Sequence, residues 1–507
     1  MNQTNNQRIA KNTLMLYIRM LLSMVVSLYT SRVVLEVLGV EDYGIYGVVG
    51  GVVAMFSFLN ASMAGATSRF LTFEMGRGDE QRLRDTFSSA LIIHIGIALV
   101  VLLLAETVGM WFLNNKLVIP ETRMGAAHWV YQLSILGMVV SVTQVPYNAS
   151  IIAHEKMDIY AYIELANVLL KLGVVFLLKI GNFDKLVLYA LLVLIVNVLI
   201  AGAYRFYCVR HYEESHFRFR FNRDISKGIL SFSLYNLLGN MGAVVNTQGT
   251  AFVINMFFGV VYNAAASIGT TITGVVTGFA SNIMTAFRPQ ITKSYAQGDI
   301  HQFQSLLSWA LKAILLVYAL IAVPVGFAIN ELLALWLVEV PPYTNIFCQL
   351  LLISIFFETA RFVVIMGIHA TGRVKWVSIF SGISFMLNPF LIYVLYKSGF
   401  PVSFAYVSVI FVNIFLLTVN VFILSYNVRD ISIKSIVYPL LQVVGVVLIS
   451  ITCLYWISQF KTGMKLVDII SLASVSTLLL GGLSLYVVLN KGQRSRVIRF
   501  VTDRIKK

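Results

Sequence analysis

Residues 13–64, TLMLYIRMLLSMVVSLYTSRVVLEVLGVEDYGIYGVVGGVVAMFSFLNASMA, contain two apolar runs, 13–39 and 43–64, with three residues between them. A helix of about twenty residues crosses the hydrocarbon core of a bilayer, so this stretch predicts two consecutive membrane spans. The same pattern continues along the chain and predicts fourteen spans in all. The other twelve are 87–113, 124–146, 158–179, 186–208, 228–258, 261–286, 303–330, 346–370, 375–396, 402–426, 437–458 and 466–489. The sequence therefore predicts an all-α membrane protein.

The composition excludes most soluble chemistry. Of the 507 residues, 58% are hydrophobic and only 12% are charged, against about 25% charged in a typical soluble domain. The three cysteines lie singly in apolar segments and form no disulfide framework and no metal-ligand spacing. The sequence contains no Walker A loop, no HExxH motif and no nucleophile elbow. We therefore expect no enzyme activity, no metal site and no cofactor.

The net charge of +15 follows the membrane topology rather than a nucleic-acid surface. Most of the Lys and Arg residues fall in connectors on the side that holds both termini, and positive charge stays on the cytoplasmic side. This placement predicts a multi-pass protein with both termini in the cytoplasm. The basic tail at 491–507 is expected to contact anionic membrane lipid.

Weak internal similarity divides the chain into two halves. Pairs of identical residues recur 220 positions apart, at Gly39-Val40 and Gly259-Val260 and again at Gly78-Asp79 and Gly298-Asp299. Chance similarity between apolar segments is the alternative, and the matching place of the Gly-Asp pairs favours a repeat. An even number of spans per half gives both copies the same orientation, a layout found in transporters with a central cavity. The predicted regions are a first lobe 1–210, a linker 211–227, a second lobe 228–430, two extra helices 431–490 and the tail 491–507.

Basic residues inside the spans are the candidate binding groups. A charged group at the bilayer centre costs about 2.5–3.5 kcal/mol or more, so such groups usually face a cavity or a partner. Lys312 is expected to snorkel to the membrane surface. The candidates for the cavity are Arg19, Arg32, Lys171 and Arg361.

Local ion pairs are the alternative for three of these four residues, because carboxylates lie at helical spacing from them. The pairs would be Arg32 with Glu36, Lys171 with Glu164 and Arg361 with Glu358. Because few acidic residues lie deep in the spans, we expect a net-positive interior that suits an anionic substrate.

A polar stripe on the seventh span adds two further candidates, Asn236 and Asn240, on the same helix face as Thr247. These side chains either hydrogen-bond to neighbouring helices or face water in the central cavity. The sequence leaves both readings open and slightly favours the cavity.

The segment LEVLGVEDYGIYGVVGGVVAMFSFLNASM at Leu35–Met63, followed by SRFLTFEMGRGDEQRLRDTFSSA, resembles the bacterial polysaccharide biosynthesis proteins. These are the Wzx-type flippases of O-antigen or capsule repeat units, in the multidrug/oligosaccharidyl-lipid/polysaccharide exporter superfamily. The resemblance covers essentially the whole chain. It implies a V-shaped pair of six-helix lobes with two extra C-terminal helices, in the bacterial inner membrane.

The same resemblance implies a function and partners. The substrate would be an oligosaccharide linked to undecaprenyl pyrophosphate, moved across the membrane by alternating access for surface polysaccharide synthesis. Arg19 and Arg32 are the positions that would hold the pyrophosphate. H⁺ or Na⁺ would be a coupling ion, and a polysaccharide polymerase would be a partner.

Two other transport functions and one enzyme function compete with this interpretation. A cation-coupled multidrug exporter of the same superfamily would need unpaired acidic residues in the interior. A flippase for the peptidoglycan lipid precursor would share the lipid pyrophosphate chemistry. A membrane glycosyltransferase or polymerase is disfavoured, because outward connectors are short and no DxD triplet occurs.

Overall fold

The computed structural model describes the backbone of residues 3–154, 156–181, 183–217, 222–457, 465–488 and 494. The side chains described are those of these residues except 3–20, 61, 232, 234–236, 282, 285–286, 289, 457 and 465–469. The described chain consists of helices and short connectors, and its contacts divide it into two compact units. Unit 1 comprises Met1–Ser267 and Ser381–Val402, and unit 2 comprises Ile268–Phe380 and Ser403–Lys507.

The helices of unit 1 follow the predicted spans closely. They are α1 Gln3–Ala54, α2 Ser57–Arg77, α3 Glu80–Leu104, α4 Met110–Asn115, α5 Met124–Ala153, α6 Met157–Leu178, α7 Lys185–His211 and α8 Arg223–Phe258. A π-helical turn at Ala105–Gly109 joins α3 to α4. Most of α13, Lys375–Lys397, also belongs to this unit.

Unit 2 contains most of the remaining helices. They are α9 Val260–Ala296, whose first turns belong to unit 1, α10 Ile300–Phe327, α11 Ile329–Trp336, α12 Thr344–Ala370, α14 Phe404–Asn427, α15 Lys434–Ile457 and α16 Lys465–Leu483. A π-helical turn at Ser484–Val488 extends α16. Apart from Arg494, the predicted basic tail lies outside the described residues.

Twelve of the helices in the described part of the chain are long and apolar enough to cross a membrane. The membrane-helical class predicted from the sequence is confirmed. The first two predicted spans meet in α1, which bends at Gly39, and the second continues into α2. Helices α2 and α8 are not among the twelve, so the count of fourteen stays a prediction.

Backbone conformation supports the internal repeat. Gly39 has φ 78 and ψ 170, and Gly259 has φ 85 and ψ −174, a region that side chains disfavour. Gly78 and Gly298 both have φ above 70, at 72 and 73. At the next helix start, Asp79 accepts a hydrogen bond from the Arg82 backbone N–H, and Asp299 does the same for Gln302. Both halves therefore use the same glycine corner and the same aspartate N-cap.

The connectors of unit 1 gather at two opposite ends. Arg123, in the third connector, donates to Asp42 from the first connector and to Asp184 from the fifth. At the other end, Arg84 is bonded to Glu213, and His154 is bonded to Glu214. Successive connectors thus alternate between two ends, as in a bundle of membrane-spanning helices. We call the end that carries Gly39 and Gly259 the corner end.

In the described part of unit 2, a large apolar cluster includes residues of the last two helices. Buried residues of α10, α12 and α14 pack in one cluster with Val443 and Val446 of α15 and with Leu472 and Leu480 of α16. The two extra C-terminal helices are therefore part of the core of this unit.

Candidate functional site

The corner end is built on a break in α1. Gly39 is the non-helical residue that separates the two parts of the helix, and Asp42 lies in the first turn of the second part. The Arg123 guanidinium donates to both Asp42 carboxylate oxygens, Nε to Oδ1 at 2.7 Å and Nη2 to Oδ2 at 2.6 Å. This is the planar paired geometry that arginine makes with a carboxylate. The motif residue Asp42 thus has a structural partner in the connector before α5.

Arg123 also holds a second carboxylate, that of Asp184. Its Nη1 donates to Asp184 Oδ2 at 2.7 Å, and its Nη2 donates to Oδ1 at 3.1 Å. Asp184 in turn caps α7 by accepting from the Leu186 backbone N–H at 3.0 Å. The guanidinium holds the pKa of Asp184 below its ordinary value of 3.8, chiefly through the hydrogen bond between them. One arginine therefore ties α1, α5 and α7 together.

Sequence reasoning did not find this cluster. Asp42 was recognised only as part of a motif, and Arg123 and Asp184 lie far from it in the chain. The available signal was that all three charges fall in connectors predicted on the same side of the membrane. A shared side of the membrane gives no distances between these charges. Whether Arg123 pairs with the two aspartates depends on how the helices pack.

At the opposite end of unit 1, the start of the linker is fixed against the helices. His154 Nε2 lies 2.7 Å from Glu214 Oε1, and the His154 ring stacks on Tyr212 with centroids 3.8 Å apart. Arg84 of α3 is bonded to Glu213. The Glu214 side chain is buried. The first residues of the predicted linker are therefore part of the packed structure, and residues 218–221 lie outside the described part.

Arg32 and Lys171 both lie exposed on helices of unit 1, Arg32 on α1 and Lys171 on α6. Neither forms its expected local ion pair among the described residues. The Glu164 carboxylate instead accepts from the Tyr204 hydroxyl at 3.0 Å and from Asn167 Nδ2 at 3.4 Å. The two basic side chains are thus available on the membrane-spanning surface of the unit.

Asn240 packs against another helix. Its Nδ2 donates to the Ser62 hydroxyl of α2 at 3.1 Å. Thr247, on the same face of α8, is exposed and donates to the Ala243 carbonyl of its own helix at 3.1 Å. The polar stripe therefore serves partly as helix contact. The side chains of Asn236 and Arg19 lie outside the described ones.

The remaining candidate, Arg361, lies in unit 2 on α12 and is 3% exposed. Its Nη2 lies 3.7 Å from Glu358 Oε1, and its guanidinium lies 4.9 Å from the Phe362 ring centre. The local pair that the sequence allowed is therefore present. No hydrogen bond or ion pair within the described chain joins any two of Arg32, Lys171 and Asn240.

Two basic residues differ from the sequence interpretation. Lys312 was expected to snorkel, but it is buried in α10 and donates to the Val488 carbonyl at 2.7 Å. The carbonyl belongs to the π-helical turn after α16, where the altered register leaves backbone oxygens open to other donors. Arg205 of α7, which was not singled out, is exposed and donates to the Thr143 hydroxyl at 2.7 Å. It also lies 5.7 Å from the Tyr147 ring centre.

Metal chemistry has no support in the part of the chain that is described. No group of three or more His, Cys, Asp or Glu side chains there could hold an ion. Cys208, Cys348 and Cys453 are free thiols.

Comparison with known proteins identifies the family. The family model described as polysaccharide biosynthesis protein matches residues 7–294, and the MatE model matches residues 240–394. The first of these covers more than half of the chain. The chain belongs to the polysaccharide biosynthesis protein family. The resemblance seen in the sequence is thereby confirmed.

One curated relative of this family member is the uncharacterized membrane protein EpsK of Bacillus subtilis. The two are 21% identical over 324 residues, which is 62% of this chain and 63% of EpsK. The match thus spans less than two thirds of the relative.

Solved structures share the fold at low identity. Lipid II flippase MurJ in an inward closed conformation superposes with a TM-score of 0.69 at 14% identity, over 92% of this chain and 97% of MurJ. An inward-facing multidrug resistance MATE family transporter of the MOP superfamily gives 0.63 at 14% identity, over 82% and 96%. The membrane exporter fold that the resemblance implied is therefore shared with these structures.

Proposed function

We propose that this protein moves lipid-linked oligosaccharide repeat units across the bacterial inner membrane, for the synthesis of a surface polysaccharide. The substrate is an oligosaccharide on undecaprenyl pyrophosphate, and the protein carries it by alternating access. The observation that carries the proposal is the match of residues 7–294 to the polysaccharide biosynthesis family. The fold shared with a flippase and a multidrug transporter supports a transport function over an enzymatic one.

The charges in the spans support an anionic headgroup. Arg32 and Lys171 are exposed on membrane-spanning helices, where an unpaired charge needs a polar surrounding or a ligand. A guanidinium offers paired donors to phosphate oxygens. In the proposal, Arg19 and Arg32 of α1 contact the pyrophosphate at successive points of its passage, because thirteen residues of helix separate them by about 20 Å. Lys171 and the polar residues Asn236 and Asn240 line the route.

The acidic residues argue against a cation exporter. Glu164 accepts from Tyr204 and Asn167, Glu358 lies beside Arg361, and Glu106 accepts from Gln132 Nε2 at 3.2 Å. A cation exporter needs carboxylates free to bind the substrate or its coupling ion, and each of these three already has a partner.

Other parts of the proposal follow from the topology and the family. Both termini lie in the cytoplasm, so the corner end faces outward. H⁺ or Na⁺ is the coupling ion, and a polysaccharide polymerase receives the product on the outer side.

The test is transport by the purified protein in liposomes. We expect a fluorescent undecaprenyl-pyrophosphate oligosaccharide to reach the opposite leaflet with the protein and to remain in its own leaflet without it. Arg32→Ala and Arg19→Ala should each lower the rate at least tenfold, and Arg32→Lys should keep part of it, because charge remains but paired donation is lost. Normal transport by both alanine variants would remove these arginines from the site.

Arg361→Ala separates a binding role from a structural one. If Arg361 holds substrate, the variant should insert into the membrane and keep the apparent melting temperature of the unaltered protein, but it should fail in transport. If the ion pair with Glu358 serves folding, the apparent melting temperature should fall together with transport. The double variant Arg361→Met/Glu358→Leu then restores stability.

A second candidate substrate is the peptidoglycan lipid precursor, which the likeness to the lipid II flippase MurJ favours. Competition distinguishes the two. Unlabelled peptidoglycan precursor should not slow transport of the labelled repeat unit at equal concentration. Full competition would support the second candidate.

A further inference from the structure

The corner end of unit 1 contains a contact between α8 and the connector before α5. The Asn255 side chain, 0% exposed, pairs with the backbone of Val118. The Val118 N–H donates to Asn255 Oδ1 at 2.8 Å, and Asn255 Nδ2 donates to the Val118 carbonyl at 3.3 Å. The Asn255 side-chain amide thus takes the place of a hydrogen-bonding peptide group. It satisfies both the N–H and the C=O of Val118, which lies in a connector without regular secondary structure.

Apolar contacts surround this pair. Leu117 and Ile119, on either side of Val118, are buried in a cluster formed mainly by α1, α5 and α7. From α8 and α9, the buried residues of this cluster include Phe252 and Val260. The Phe252 ring lies 5.0 Å from the Phe112 ring between centroids. Among the described buried side chains, the corner between α8 and α9 therefore docks on the cluster of α1, α5 and α7 through few residues, whereas Phe257 and Phe258 pack on Tyr396 of α13.

The backbones approach closely beside these contacts. A Cβ built on Gly44 of α1 would lie 2.1 Å from the Val260 carbonyl oxygen, and one built on Gly47 would lie 2.8 Å from the Ser267 hydroxyl. Water has no room in such a contact, so the second part of α1 and the α8–α9 corner form a seal.

The strengths of the two polar contacts at this end differ. Arg123 joins α1, α5 and α7 by four hydrogen bonds between charged groups. Asn255 joins α8 to Val118 by two neutral ones. Charge-assisted bonds are roughly twice as strong as neutral bonds. The polar contact of the α8–α9 corner with the connector before α5 is therefore weaker than the contact that joins α1, α5 and α7.

We propose that the Asn255–Val118 pair is a latch that closes the corner end, and that it breaks in each transport cycle to release substrate there. The inference rests on the proposed function, because a transporter with alternating access must open each end in turn. It assigns the moving surface to the α8–α9 corner and the fixed surface to the helices that Arg123 joins.

A reversible cross-link tests whether the seal opens. A Cβ on Gly47 would lie 4.0 Å from the Ser267 Cβ, within the range of about 3.5–4.5 Å for a disulfide. The variant carries Gly47→Cys and Ser267→Cys, with Cys208, Cys348 and Cys453 replaced by serine. Copper phenanthroline oxidises the two thiols to the disulfide, and dithiothreitol reduces it. We expect transport of the fluorescent lipid-linked oligosaccharide to stop on oxidation and to return on reduction.

Removal of the latch tests the role of Asn255 without transport. The reporter is Gln248→Cys in the cysteine-free background, because Gln248 Oε1 would lie 2.6 Å from a Cβ on Gly51 in the seal. Asn255→Ala should raise the rate at which a water-soluble maleimide labels this thiol on the order of tenfold, since two hydrogen bonds no longer hold the closed state.

Asn263→Ala is the matched control. Asn263 is also buried, and its Nδ2 donates to the Ala251 carbonyl at 2.8 Å. This bond joins α9 to α8, and both helices lie on the same side of the seal. The labelling rate should therefore stay at that of the Gln248→Cys protein in which Asn255 and Asn263 are unchanged.

The outcomes separate the latch from the proposed function. Undiminished transport by the fully oxidised double variant, or equal labelling with Asn255→Ala and Asn263→Ala, would overturn the latch and leave the proposed function standing. Absence of lipid-linked oligosaccharide transport by the unaltered protein would overturn the proposed function, and the labelling comparison would still decide whether Asn255 holds the seal closed.

Discussion

Arg123 shows how one side chain can organise several membrane helices. Its guanidinium faces Asp42 and Asp184, which come from connectors 81 and 61 residues away in the chain. The site is 25% exposed on the arginine side, so water screens it only in part. Removal of one partner should therefore cost more than at a fully exposed ion pair and less than at a buried one.

Arg123→Ala should lower the free energy of unfolding by about 2 kcal/mol, because two carboxylates would face each other without a counter-charge. Arg123→Lys should lower the free energy of unfolding by about half as much, since the lysine ammonium cannot make two paired contacts with carboxylates. The apparent melting temperature in detergent measures both changes. Equal melting temperatures for the alanine variant and the unaltered protein would contradict the role of Arg123.

Asp184 adds a pH dependence. Its pKa is lowered in the folded protein, so its stabilisation is fully present above the ordinary value of 3.8 and is lost as the pH falls through the lower folded value. The difference in melting temperature between the unaltered protein and Asp184→Asn should be constant from about pH 5 to 8 and shrink below about pH 4. A difference that grows on acidification would reverse the sign of this interaction.

Helix α1 shows what glycines do at the level of an element. The run from Asp42 to Val53 contains Gly44, Gly47, Gly50 and Gly51, but they are not equivalent. A Cβ at Gly44 would overlap the Val260 backbone, whereas a Cβ at Gly50 would have nothing within 4 Å. Only one face of the helix therefore needs glycine for close approach.

Gly44→Ala should destabilise the protein by about 2 kcal/mol, because the contact is with backbone that cannot move aside cheaply. Gly50→Ala is its matched control and should be neutral or stabilising by up to about 1 kcal/mol, since alanine favours the helix. Melting temperatures of the two single variants test the contrast. The same loss in both would mean that the helix needs flexibility rather than close approach.

At the scale of the whole molecule, the compact units do not coincide with the order of the chain. Unit 1 contains α8 and most of α13 in addition to α1–α7. Gly242 of α8 packs against the Gly382 backbone of α13, and Asn388 Nδ2 donates to Asn246 Oδ1 at 2.8 Å. The predicted division into lobes at residues 210 and 228 stays a prediction about the repeat, and contact defines different boundaries.

Removal of residues 431–507 should prevent unit 2 from folding. The deletion would expose the cluster that α10, α12 and α14 share with α15 and α16, and it would remove the Val488 carbonyl that Lys312 bonds. We expect loss of monodisperse protein on size-exclusion chromatography. Lys312→Met, which removes the bond but keeps the apolar stem, should leave a folded protein. A monodisperse truncated protein would show that the last two helices are dispensable.

The same contrast between local and long-range information applies to the candidate site. Helical spacing left open whether Arg32 and Lys171 pair with Glu36 and Glu164, and the structure shows both basic side chains exposed. The pair of Arg361 with Glu358 was visible as helical spacing. The sequence did not decide whether Asn240 faces a cavity or contacts a helix. Its hydrogen bond to Ser62 depends on the packing of α8 against α2.

The sequence by itself determined what depends on neighbours in the chain: the apolar runs long enough to cross a bilayer, and the repeated glycine and Gly-Asp pairs, which the structure shows to be helix corners and aspartate N-caps. Hydropathy, backbone sterics and capping act over a few residues, so a single chain reveals them. Only the tertiary structure decided that Arg123 joins Asp42 to Asp184 and that Asn255 meets Val118. Those contacts depend on the packing of helices far apart in the chain, which no local pattern encodes.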